Sequence, residues 1–142
     1  MEGIERQAGP LGSDAEVTHI LVVSDPDRSM RFWVDVLGAE LYRAYGGTSV
    51  VLRFAGTWVL LVSGGAPTAD KPTVTFAPPA DPDRVSHAMT IRVADCQASY
   101  RALLDRGASF LTPPHDWGGE IRCFLRDPDG HLVEISQLAA TP

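Results

Sequence analysis

One pattern, a strand, a helix and then three strands, runs through this chain twice, and that duplication limits its fold more than any other feature. Val17-Thr18-His19 lines up with Val85-Ser86-His87 at an offset of 68, each opening an apolar β-branched run. In the first copy Asp25-Pro26 signals a helix start, because proline lacks only a donor that the first turn leaves unpaired anyway. Met30, Trp33, Val34 and Leu37 follow at helical spacing, and Gly38 supplies the stop. In the second copy Asp95 caps, Tyr100, Leu103 and Leu104 mark the buried stripe, and Gly107 ends the helix. Strand runs 39–43, 49–54 and 58–62 correspond to 109–111, 121–126 and 132–137. The closing strands align Leu60 with Glu134. The expected fold is α+β, with tandem β-α-β-β-β units forming a curved mixed-sheet cup of pseudo-two-fold symmetry. Residues 1–15 are expected to form a mobile tail, 16–63 the first unit, 64–84 a proline-rich linker and 85–138 the second unit, all within one domain over 16–138.

Composition removes several function classes. A net charge of −6 and a single lysine, Lys71, oppose nucleic-acid binding, which needs a basic stripe. No apolar run approaches a membrane span, since Ser24, Arg53 and Gly64 interrupt the longest ones. Cys96 and Cys123 lack metal-type spacing and read as buried thiols of a reduced compartment. With no basic start followed by an apolar core, a cytoplasmic location is expected.

Chemistry concentrates on three residues. His19 and His87 open the two units, and Glu134 sits between Val133 and Ile135 in an otherwise apolar strand. A carboxylate there needs a cation or strong donors, and two histidines with a carboxylate form a ligand set that leaves open positions on a divalent ion. The duplication, the two histidines and the Asp-Pro-Asp-Gly-His-Leu-Val-Glu run ending at Glu134 resemble the vicinal oxygen chelate superfamily of glyoxalases, bleomycin-resistance proteins, fosfomycin transferases and extradiol dioxygenases. That resemblance implies that His19, His87 and Glu134 hold one divalent metal ion, with Fe2+ or Mn2+ favoured over Zn2+ or Ni2+. It also implies a homodimer and a metal-dependent enzyme chelating a small oxygenated, largely apolar or aromatic substrate. The alternative is a non-catalytic drug-binding protein of the bleomycin-resistance type. Where the family's glyoxalases have a fourth ligand, the repeat puts Leu60. Strand alternation nominates Trp58 and Met89 as substrate contacts, and the resemblance implies that Arg122 and Phe124 also face inward, with Arg122 the one permanent cation of the cup. His115, on the glycine-flanked loop 113–119, is the candidate for proton transfer.

Overall fold

The structure, a computed structural model, describes residues 9–139, so the first eight residues of the expected tail lie outside it. Within the described part the chain builds two mixed sheets. The first contains β1 (Thr18–Val23), β2 (Glu40–Tyr45), β3 (Ser49–Phe54) and β4 (Thr57–Ser63) in the order β1-β4-β3-β2. The second contains β5 (Met89–Arg92), β6 (Ser109–Phe110), β7 (His115–Asp116), β8 (Glu120–Arg126) and β9 (Leu132–Leu138), in the order β5-β9-β8 with β6 and β7 both on β8. In each sheet the strand before the helix pairs in parallel with the last strand, so both units carry the same topology.

The two helices start in the same way. Asp25 and Asp95 take nearly identical backbone angles, φ −142° and −141° with ψ 99° in both. The Asp25 carboxylate accepts from the Asp27 and Arg28 amides, and Asp95 from that of Ala98. The first helix is shorter than its spacing predicts. It runs as α1 over Pro26–Arg31 and widens into a π-helical turn over Phe32–Val36, in which the Leu37 amide reaches the Phe32 carbonyl. The wide turn leaves Trp33 fully buried, edge-on to Phe54 at 5.4 Å. The second helix, α2, is regular over Cys96–Asp105.

Burial alternates along β3 and β4, so that Val50, Leu52, Phe54, Val59 and Leu61 face the helix. In the second sheet Cys123, Leu125, Val133 and Ile135 do the same. Both sets belong to one contiguous core. The thiols of Cys96 and Cys123 lie 3.9 Å apart there, and burial pushes Cys123 up to about 12, so both stay neutral. Among the described residues no helix is long and apolar enough to cross a membrane.

Polar contacts lock one unit to the other through the turn 127–130. Asp129 accepts from the Ser24 amide at 2.9 Å and the Ser29 hydroxyl at 3.3 Å. His131 Nε2 lies 2.7 Å from the Val22 carbonyl oxygen, which only accepts, so that nitrogen carries the proton. Burial raises the Asp127 carboxyl, although its Oδ1 accepts from the amides of Asp129 and His131. Gly130 has φ +91°, and a Cβ on it meets Pro82 Cβ at 2.9 Å. Gly130→Ala therefore combines backbone strain with a clash, and should cost about 1–3 kcal/mol. The shift in denaturant midpoint measures it; an unchanged midpoint contradicts this packing.

Strand β5 starts at Met89 rather than at Val85 as its sequence suggests. Met89 pairs with Val133, so in the same register His87 faces His131, whose amide is already donated to Asp127. With no ladder partner, residues 85–88 stay outside the sheet.

Candidate functional site

A cavity of about 530 Å³ opens where the units meet. Ile20, Leu21 and Val22 of β1 form one wall and Trp33 of the π-helical turn another. The end of the linker from Ala77 and the approach to β5 as far as Met89 close a third side, and the start of β9 at 130–133 the fourth. The linker is held in place by Arg126, which donates to the Pro82 carbonyl and pairs with Asp83, both at 2.7 Å. The lining is mainly apolar, with His87, His131, Arg84 and Asp81 as its main polar side chains. A cavity of this size, largely apolar with a few convergent polar groups, suits a small organic molecule.

The three residues expected to hold a metal are not gathered in it. The His19 and His87 rings are 6.3 Å apart, and His87 lines the cavity. His19 pairs with the buried Val59, on the helix-facing side of the first sheet. Glu134 pairs with Thr90 and Phe124 and shares their face, the one turned away from the helix, where it accepts a hydrogen bond from the Thr90 hydroxyl. Among the described residues no three His, Cys, Asp or Glu side chains are grouped to share one ion. The side chains of a single chain therefore do not fit the expected ligand set.

The repeat also differs by two residues from the one the histidines suggest. Asp95 lies 70 residues after Asp25, and Thr90, opposite Glu134, lies 70 after Ile20, opposite Leu60. The structural repeat is thus 70, not 68. It keeps Leu60 and Glu134 equivalent, but matches His19 with Met89 and His87 with Val17.

The nominated substrate contacts separate into three places. Arg122 and Phe124 lie with Glu134 on the open face of the second sheet, and β7 brings His115 opposite Arg122. There Arg122 stacks on Trp117 at 5.4 Å and pairs with Glu120 at 3.2 Å. Arg122 is not the only cation of this face. Arg92 donates to Ser136 Oγ at 3.2 Å and stands 3.5 Å from Glu120. The Ser136 hydroxyl, donating at 2.6 Å, holds Glu120 below the usual carboxylate range, and both guanidiniums add to the effect. Trp58 lies on the first sheet instead, under the Arg53 guanidinium at 4.4 Å, with its indole donating to Glu16. Met89 packs against the core and lines the cavity. His115 is in a two-residue strand rather than a free loop, its ring 4.2 Å from that of Trp117. Arg92 and Thr90 were open to the same alternation argument, read on the other parity of β5. Trp33 and the linker wall had no such signal.

A family model for the glyoxalase/bleomycin resistance protein/dioxygenase superfamily matches residues 16–135. The chain belongs to this superfamily. Glutathione transferase FosA of Serratia marcescens is similar to it, 27% identical over 115 residues that cover 81% of this chain and 74% of FosA. Among solved structures, a glyoxalase/bleomycin resistance protein/dioxygenase from Nocardioides superposes with a TM-score of 0.71 at 18% identity, covering 99% of this chain and 89% of its own. TnmS3, an antibiotic-binding protein from Streptomyces sp. CB03234, superposes at 0.63 with 20% identity, covering 89% and 97%. At such identities the superpositions establish the fold, and superfamily membership leaves reaction and ligand open.

Proposed function

We propose that this superfamily member binds a small, largely apolar organic molecule in the cavity between its two units, and does so without a resident metal ion. The observation that carries this reading is the cavity itself, walled by both units and pinned by cross-unit hydrogen bonds. Preformed walls reduce the ordering cost of binding, so affinity follows from apolar burial. The likeness to an antibiotic-binding protein supports the same reading. The test is thermal denaturation of chelator-treated protein against a panel of neutral bicyclic aromatic compounds. Saturable stabilisation by at least one is expected, because a ligand bound only to the native state raises the melting temperature. Stabilisation that needs added Mn2+, Fe2+, Zn2+ or Ni2+ contradicts it.

The proximity of His19 to His87 favours a second reading, a metal-dependent enzyme in which those two rings hold the ion and His115 moves a proton near Arg122. Metal analysis of protein purified without chelators separates the two. Near one equivalent per chain, lost in His19→Ala, supports the enzyme; metal well below that level supports the metal-free binder.

The partner proposed for the chain itself is a second copy. β1 and β2 are edge strands, and Ile20, Leu41 and Tyr42 on them are half exposed or more. Open edges with apolar side chains call for cover. Sedimentation at about 100 µM should show a dimer, and a monomer at that concentration leaves at most a marginal interface.

A further inference from the structure

Most of the cavity's walls are held by sheet ladders or by the core. β1 pairs with β4, β9 with β5 and β8, and Trp33 is fully buried. Residues 77–88, which make up the remaining wall, have neither support, and none of them belongs to the core. This stretch is tied at one end by the paired backbone bonds between Gly65 and Phe76, both 2.9 Å, and at the other by the pairing of Met89 with Val133. Between those ends residues 80–88 are exposed. Among the described residues their single backbone hydrogen bond is internal, from the Arg84 amide to the Asp81 carbonyl. The hydrogen bonds that tie this stretch to the rest of the described protein all come from Arg126. Its guanidinium donates to the Pro82 carbonyl and the Asp83 carboxylate, both at 2.7 Å, and also to the Gly130 carbonyl at 3.2 Å, on the β9 wall. One side chain thus staples two walls together, although neither Arg126 nor Asp83 lines the cavity.

Resting on the cavity reading above, we infer that Arg126 is a positioning residue for ligand binding, which sets affinity by holding residues 77–88 in place without touching the ligand. A planar guanidinium serves a carbonyl and a carboxylate at once, which the point charge of a lysine does not do in one geometry. Without it the stretch has few buried contacts and no hydrogen bonds outward, the condition under which a segment opens locally. The ligand then has to order the wall as it binds, and that cost is subtracted from its affinity.

The test compares the wild type with Arg126→Met, Arg126→Lys and Asp83→Asn, all as the full chain. In ligand-free protein, amide relaxation dispersion should show millisecond exchange in Arg84–Ala88 of Arg126→Met, absent from β1 and β9 and weaker in the wild type. Affinity for 2-acetylnaphthalene, a neutral bicyclic aromatic, should fall about tenfold in Arg126→Met and less in Arg126→Lys. Asp83→Asn keeps the carbonyl bond and should lose only about threefold, as an exposed ion pair contributes little. Saturating ligand should quieten the wall in Arg126→Met, which a merely structural role does not require. A wall as quiet in ligand-free Arg126→Met as in the wild type, or affinity unchanged in every variant, overturns the role of Arg126 and leaves the cavity reading standing. No binding by the wild type overturns the cavity reading, and the ligand-free exchange still decides whether Arg126 holds the wall. The Asp83 side chain is 84% exposed, so Asp83→Asn keeps the comparison decisive even if Arg126→Met does not fold.

Discussion

Trp33→Ala should lower the unfolding free energy by about 3–5 kcal/mol, the largest loss expected from any single substitution near the site. The indole is fully buried, stacks edge-on against Phe54 and walls the cavity where β1 meets the linker. Removing it merges its own volume with an existing void of about 530 Å³, so the surroundings have little reason to collapse inward. A domain of this size has a total stability of about 5–15 kcal/mol, so the variant is expected to be partly unfolded or strongly destabilised at 37 °C. Denaturant titration of wild type and variant measures the difference. A loss below about 1 kcal/mol contradicts the placement of Trp33 in the core.

The second large effect concerns binding rather than folding. Ala88 lines the cavity from the exposed, unpaired stretch 85–88 before β5. Ala88→Trp puts a bulky side chain at the cavity with no core contact to disrupt. Ligand affinity should fall about 100-fold, equivalent to about 2.8 kcal/mol, while the ligand-free melting temperature stays within a degree or two. A calorimetric titration with whichever panel compound binds the wild type reads this directly. Undiminished affinity in a folded Ala88→Trp protein places the ligand elsewhere.

The duplication was legible because each copy carries its own punctuation. Asp25-Pro26 and Asp95 start the helices, Gly38 and Gly107 follow them, and the strand runs between are apolar and β-branched. The register of the repeat was less secure. Anchoring it on the two histidines gives an offset of 68, whereas the cap aspartates and the β1–β4 and β5–β9 ladders give 70. A backbone that must place a capping carboxylate on an amide fixes its register more tightly than a side chain near a strand end. His19 lies in β1, whereas His87 precedes β5, so strand alternation does not relate the two side chains. Glu134, opposite Thr90, lies on the face turned away from the helix. The π-helical turn was not legible, because Met30, Trp33, Val34 and Leu37 satisfy ordinary helical spacing and only tertiary packing selects the wider turn. Nor was the linker's role. Its prolines announce irregular chain, but the Arg126 contacts that press it over β1 span more than forty residues.

On the proposed reading a single chain's cavity, rather than a metal centre, holds the ligand. Residue-resolved NMR titration of chelator-treated protein with 2-acetylnaphthalene tests it most directly. Saturable shifts are expected, confined to Ile20–Val22, Trp33, residues 77–89 and the start of β9, and unchanged by adding Mn2+ or Zn2+. Shifts that appear only after metal is added, or that centre on Glu134, Arg122 and Phe124, contradict it.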